Sequence, residues 1–440
     1  IEISNNVGKS YFDHLDNIIK KYNPSSLLMI QPGEYRILES IKKVCKKNNL
    51  LIKILDDKHF LCTLEEFFSW ADGKKELRME QFYRFMRKKK SILMSNNLPI
   101  NGKWNFDNSN RSSYPKKIGP GFIPKPASFS PNKITEEVIG LVNKFFPNHP
   151  GDLKFFDWPV SRNDALIALE NFIDTRLINF GKYQDAMWTN TPKGWHSLLS
   201  SSLNLHLLNP LEVVKVAEKS FTKHLSSIES VEGFIRQILG WREFMRGVYW
   251  LDMPKMKNDN FFSHQKSLPK WFWNGDTKML CMRDTLSQTL NLGYAHHIQR
   301  LMIIGNFALL SEVLPKEICD WFLAVYVDAV EWVELPNTAG MAIHACGTRF
   351  TTKPYVSTGA YISKQSNYCN NCMYNPKLRY GEKACPFTTL YWHFLDKNKF
   401  SFSKNPRTSL MMKNLDRFNN TEKLYINRHA EKTLSSVENI

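Results

Sequence analysis

The chain has 440 residues, 42% hydrophobic and 13% aromatic, enough for two or three domains with a large core, and no apolar run reaches the roughly 18 residues of a membrane span. Lys and Arg number 59 against 42 Asp and Glu, a net charge of +17, which favours a polyanionic partner, most simply nucleic acid; a solvated basic surface is the plain alternative. The eight cysteines include five scattered ones, Cys45, Cys62, Cys281, Cys319 and Cys346, a pattern that excludes a disulfide framework and suits a reducing cytosol.

The start, IEISNNVGKS, is polar and has no initiator Met; no secretory leader is expected, and the natural chain is expected to begin earlier. Its GKS lacks the Gly five positions before Gly8, where Ile3 stands, so it is not a phosphate loop. Residues 26–60 read as strand, helix, strand. SLLMIQP is a short apolar run closed by Pro32 and Gly33, ILESIKKVCKK has helical spacing, and NLLIKILDD is a second β-like run. One such unit falls short of a doubly wound sheet, so residues 1–62 are expected to be the remainder of a Rossmann-like α/β domain whose first strands lie outside this chain. Residues 97–133 are rich in Pro, Gly, Asn and Ser and read as an extended connector, within an interdomain connector expected over 63–145. Residues 146–440 read as a large helical domain with a polar final segment.

Three stretches of that domain carry chemistry. In SVEGFIRQILGWREFMRGVYW, 230–250, Val231, Phe234, Ile235, Ile238, Leu239 and Met245 form a helical stripe. Arg242 falls on that stripe and needs an anion, either an internal carboxylate or a bound phosphate. In YAHHIQRLMIIGNFALL, 294–310, the spacing puts His296 and Arg300 on one helix face, with His297 beside them. Core histidines and a proton-handling pair both fit. In YCNNCMYNPKLRYGEKACPF, 368–387, Cys369, Cys372 and Cys385 want a fourth ligand, and four thiolates suit zinc and an iron–sulfur cluster alike.

GYAHHIQRLMIIGNFAL resembles the flavin-site helix of photolyases and cryptochromes. GWREFMRG, FGKYQDAMWTNTPKGWHSLLSSSL and VYVDAVEWVELPN are similar to further motifs of that family. With PGEYR, TKPY, YCNNC and ACPF included, nearly the whole chain resembles the bacterial iron–sulfur group, the prokaryotic (6-4) photolyases related to deoxyribodipyrimidine photolyase. The resemblance implies an α/β antenna part and a helical FAD domain. It implies light-driven repair of (6-4) photoproducts in DNA by electron donation from excited reduced FAD. His296 and His297 are the implied proton donors, and Tyr355 and Trp241 the implied contacts to the lesion. FAD contacts are implied for Tyr183, Ser197, Leu199, Ser200, Gln237, Arg242, Arg300, Asp328, Glu334 and Asn337. His196 stands where the family usually has Thr.

The resemblance assigns Cys281, Cys369, Cys372 and Cys385 to a [4Fe-4S] cluster. It gives Trp321 and Trp273 to electron transfer, with Phe322 where an oxidisable Tyr would serve. The family's antenna, 6,7-dimethyl-8-ribityllumazine, draws much of its site from the first strands, which are expected to lie outside this chain, so its binding here is left open. The partner implied is UV-damaged DNA, with no membrane, a monomer and a cytoplasmic location. A cryptochrome-type blue-light receptor on the same fold, or an iron–sulfur nucleic-acid module without flavin, are the competing classes.

Overall fold

The computed structural model describes residues 10–440. The chain opens with α1 (Tyr11–Tyr22), β1 (Ser26–Ile30), α2 (Tyr35–Lys47) and β2 (Leu51–Leu55). β1 and β2 pair in parallel, Ser26 opposite Leu51 through Ile30 opposite Leu55. The α1 start is closed by a Ser10–Asp13 capping box, which satisfies the first backbone donors. Leu27, Met29 and Ile52 turn inward onto a small core of Ile19, Ile41, Cys45 and Leu50. Leu28, Ile30, Leu51 and Leu55 remain exposed on the other side, so this parallel sheet is covered on one face only.

Residues after β2 leave that small core for the main one. α3 (Leu64–Ala71) and α4 (Met79–Lys90) fall within the span expected to be connector. They are core helices: Phe67, Phe82, Tyr83 and Met86 are fully buried and join the main cluster. Period-3.6 apolar spacing in EEFFSWA and MEQFYRFM was the available signal. The irregular chain that was expected runs from 110 to 132.

The rest of the chain is helical and shares one core that reaches from Phe60 to Leu434. The 230–250 stretch forms helices Ile228–Ile235 and Glu243–Asp252, joined by a π-helical turn over Arg236–Arg242. Two more π turns occupy Arg300–Gly305 and Pro336–Ala342. Each widened turn carries residues singled out from sequence: Gln237 and Arg242, Arg300, and Asn337. Such turns re-aim side chains by inserting a residue and recur at functional sites.

Buried polar contacts lock the two parts together. Glu243 accepts from the backbone N–H groups of Leu61 and Cys62 at 2.8 and 3.0 Å. Tyr249 accepts from the Tyr35 N–H at 2.7 Å and donates to Glu331 at 2.6 Å. Gly247 lies so close to α3 that a Cβ there would meet Phe67 ring carbons at 2.2–2.4 Å. Gly247→Ala is expected to destabilise the protein by roughly 1–3 kcal/mol through overpacking, measured by urea unfolding. Phe67→Leu in the same chain is expected to restore part of that loss.

Candidate functional site

The site is organised by Arg300. Its Nη2 donates to Asp328 at 2.9 Å, its Nη1 to Glu334 at 3.1 Å and its Nε to the Ala295 carbonyl at 2.7 Å. The guanidinium lies 3.7 Å from the Tyr326 ring centroid. Burial would lower the Arg300 pKa, but Asp328 and then Glu334 hold it above the ordinary value. Burial pushes Glu334 up to about 8 against the pull of Arg300, with Asp328 raising it further. Glu334 is therefore a carboxylic acid at neutral pH, able to give or accept a proton.

The bond from Arg300 to Ala295 fixes the chain immediately before the paired histidines. His296 is not on the helix with Arg300, as the spacing suggested. The helix begins at His297, and His296 is its extended N-cap with φ −73° and ψ 161°. The side chain consequently leaves the helical face and stacks on His196, with ring centroids 4.4 Å apart and planes at 15°. His296 is buried, and its Nδ1 has no hydrogen-bond partner. Burial, then His196, His297 and Arg300, depress its pKa well below the usual histidine range. His297 is solvent-exposed yet crowded by protein, and that crowding plus Arg300 lowers it to about 4. His196 is lowered to about 3 by burial and then His297. All three imidazoles are thus neutral at pH 7.

Other implied flavin contacts surround a set of unpartnered polar atoms. Arg242 is buried, donates one Nη1 bond to Glu243 at 2.9 Å and lies over Phe60 and Trp332. Its Nε and Nη2 have no partner, and burial lowers its pKa to about 10 despite Glu243. The expected stripe position holds, and the internal carboxylate occupies only one side of the guanidinium. Leu198, between Ser197 and Leu199, has φ +61°, a left-handed conformation uncommon for leucine. It precedes Leu199, the N-cap of the short helix Ser200–Asn204, where the Ser201 and Ser202 hydroxyls are buried without partners. Unpartnered buried donors cost free energy unless a ligand meets them. A buried cation with two vacant N–H groups and several vacant hydroxyls fit a polar, phosphate-bearing group such as FAD.

The remaining predicted residues are placed as follows. Tyr183 packs on Tyr114 at 4.9 Å. Gln237 and Asn337 bond to backbone carbonyls one turn back, Gly233 and Val333. Trp241 is half-buried and meets Phe244 edge-on. Tyr355 has Asp107 and Arg111 as its charged neighbours, with burial raising its pKa. Trp321 is buried, and Trp273 lies at the surface 6.4 Å from it. Two residues of the site that the sequence reading did not select are His196 as a stacking partner and Tyr326 beneath Arg300. Tyr326 stands two before Asp328, a signal legible only once Asp328 is placed.

A second site holds the thiols. Cys281, Cys369, Cys372 and Cys385 line one cavity with Met279, Tyr368 and Phe387. Its wall includes Gly359, where a Cβ would fall 2.8 Å from Cys385 Sγ. The donor set is all sulfur, so the cavity fits a thiolate-bound metal centre. Burial, with the Cys372 thiol adding, raises Cys369 to about 11. Burial raises Cys385 to about 12. A bound cationic centre reverses that preference and keeps the sulfurs ionised. Asp252, Asp259 and Cys346 also converge, but Arg349 already pairs with both carboxylates.

Residues 2–158 match the family model "Deoxyribodipyrimidine photo-lyase-related protein". A "(6-4) photolyase" of Agrobacterium fabrum is 45% identical over 408 residues, covering 92% of this chain and 80% of that one. Among solved structures, a bacterial class III photolyase from Agrobacterium tumefaciens aligns with TM-score 0.52 at 17% identity, covering 81% of this chain and 71% of that one. A Synechocystis cryptochrome aligns with TM-score 0.53 at 16% identity, covering 80% and 71%. No helix among the described residues is long and apolar enough to cross a membrane.

Glu334 makes a signed pH prediction. The folded protein holds a proton on it from the ordinary value of 4.5 up to about 8, where the unfolded chain has released it. Stability from this group therefore falls as pH rises through that window. Thermal unfolding of wild type and Glu334→Gln across the window should show the extra decline in wild type only. With its fold and its extended sequence identity both matched, the chain belongs to the (6-4) photolyase branch of the photolyase and cryptochrome family.

Proposed function

We propose that this enzyme repairs (6-4) pyrimidine photoproducts in DNA under blue light, using FAD and a [4Fe-4S] cluster. The observation that carries this reading is the buried Arg300–Asp328–Glu334 triad set directly against the His296–His297 turn. Such a site offers fixed charge, a protonated carboxyl and imidazoles in one place.

When bound, FAD supplies light absorption and one-electron donation to the lesion. Arg242, Ser197 and Ser200 would hold its phosphates, and Arg300 with Asp328 would flank its ring system. Tyr183, Leu199, Gln237 and Asn337 complete the implied pocket. Glu334, uncharged at neutral pH, holds a proton at its carboxyl oxygen within the triad. His296 and His297 are neutral in the protein alone, so each offers one ring N–H. A DNA phosphate arriving beside them raises their pKa and favours the charged donor form. Trp241 and Tyr355 would stack on a splayed lesion, and flipping is easiest at a damaged base whose pairing is already weak, as is general for photolyases. The net charge of +17 supplies the attraction for the phosphate backbone.

For the cluster, the support is that Cys281, Cys369, Cys372 and Cys385 line one cavity, an all-sulfur donor set that suits zinc and iron–sulfur centres alike, with the family resemblance favouring [4Fe-4S]. Thiols of this kind persist as ligands in a reducing compartment, the cytoplasm. The centre ties the helix carrying Cys281 to the loop carrying Cys369 and Cys372 and to the helix that follows Cys385.

Two measurements test the reading. Anaerobically purified protein should show flavin absorption over an iron–sulfur background, with iron and sulfide present. Cys385→Ser should lose most of the iron together with thermal stability. The same protein should restore (6-4)-damaged DNA under blue light. Ala at His296 or at His297 should cut the rate by about 10²-fold or more in at least one case. Zinc without flavin would overturn the assignment; flavin and cluster without repair would favour a photoreceptor.

A further inference from the structure

We propose that Gln299 and Tyr368 are positioning residues for the reaction, and that they set the His296–His297 turn from the wall of the thiol cavity. Three successive residues of the backbone entering the helix at His297 are each held by a side chain. Gln288 Nε2 donates to the Tyr294 carbonyl at 3.0 Å. Arg300 Nε donates to the Ala295 carbonyl at 2.7 Å. The His296 N–H donates to Gln299 Oε1 at 3.1 Å. Arg300 belongs to the ion triad. Gln288 and Gln299 belong to a different network, and that network ends at the sulfurs.

Its hydrogen bonds leave Gln299 one orientation. Gln299 is buried. Its Oε1 accepts from His296 and also from Gln288 Nε2 at 3.0 Å. Its Nε2 donates to Gln288 Oε1 at 3.0 Å and to the Tyr368 hydroxyl at 3.2 Å. Both acceptor sites and both N–H groups are therefore used, and turning the amide over would set a donor against the His296 N–H. A buried network satisfied in this way rigidifies what it touches. Tyr368 is fully buried, precedes Cys369 and lines the thiol cavity. Asp284 is the charged group beside its hydroxyl. The helix Leu280–Leu292 carries Cys281, Asp284 and Gln288 on one face. The thiol wall and the network thus share two segments, this helix and the turn of Tyr368 and Cys369. A metal centre bound by Cys281 and Cys369 would fix the separation of those segments, and Gln299 bridges the same two through Gln288 and Tyr368.

This role rests on the repair reading above, in which the paired histidines handle a proton. The His296 backbone is held, while its Nδ1 has no partner in the protein. A proton donor must stand within hydrogen-bond reach of its acceptor, and a misplacement of about 1 Å can cost about 10²-fold in rate. Gln299 and Tyr368 act through the turn rather than on the substrate.

The test uses the loaded protein, with iron and flavin content measured first. Tyr368→Phe deletes one hydroxyl and keeps the ring that lines the cavity, so iron and flavin should stay at wild-type levels. Deuterium exchange of the backbone amides of 296–300 should quicken by about tenfold. The kcat for (6-4) repair should fall with it, while KM for damaged DNA should not change. Gln299→Met removes donor and acceptor together and should quicken exchange further. Adding Tyr368→Phe to Gln299→Met should change nothing more, because Tyr368 acts through Gln299. Wild-type exchange in Tyr368→Phe would overturn the inference, as would additive effects in the double variant. Loss of iron from Tyr368→Phe would also overturn it, by making Tyr368 a support of the cavity alone. If Gln299→Met fails to fold, Tyr368→Phe decides by itself. Wild-type protein without repair would sink the repair reading and the catalytic purpose of the relay, and the exchange rates would still decide whether the relay holds the turn.

Discussion

A buried guanidinium cannot stand alone, and the site of this protein follows from how Arg300 is neutralised. Two carboxyl groups, a backbone carbonyl and an aromatic face share it. Removing one partner of such a buried pair typically costs about 3–5 kcal/mol, because the remaining charge is left uncompensated. Each partner is consequently held in place, and each brings a functional element with it. Asp328 and Glu334 bring the segment on which they stand, and Ala295 brings the histidine turn. Tyr326 brings its contact with Trp321. One charge thus organises groups drawn from positions 295 to 334.

The two-to-one ratio of carboxyl groups to guanidinium has a chemical consequence. Both carboxyl groups cannot ionise easily in a buried site beside a single cation. The excess proton rests on Glu334, whose pKa is pushed up to about 8. The histidines show the converse effect: burial first, then one another and the nearby cation, keeps them neutral.

The widened helical turns show how the backbone serves that arrangement. Arg236–Arg242, Arg300–Gly305 and Pro336–Ala342 each depart from regular helix where a site residue must point inward. Glu243, next to the first of these turns, anchors the chain at Leu61 and Cys62. The small α/β part is thereby tied to the helix that carries Arg242. The thiol cavity gathers Cys281, Cys369, Cys372 and Cys385 at a second, separate place within the helical part.

The sequence by itself determined residue types and local spacing. The strand–helix–strand of residues 26–60, the stripe containing Arg242, the Arg300–Asp328 pair and the C-x2-C group were legible because each depends on periodicity or on a motif. Tertiary structure decided what periodicity cannot express. His296 and Arg300, four apart, looked like neighbours on a helix, but the helix starts one residue later and His296 turns away to His196. α3 and α4 lie within the span expected as interdomain connector, and it is packing that puts their rings into the main core. Glu334 was visible as a carboxyl, but only its burial beside an already paired Arg300 makes it an acid at neutral pH. Tyr326 carried no signal beyond standing two before Asp328, and only packing sets it against both Trp321 and Arg300. Contacts between distant positions, and the loss of water around them, are set by packing, and packing is not written in any one stretch of the chain.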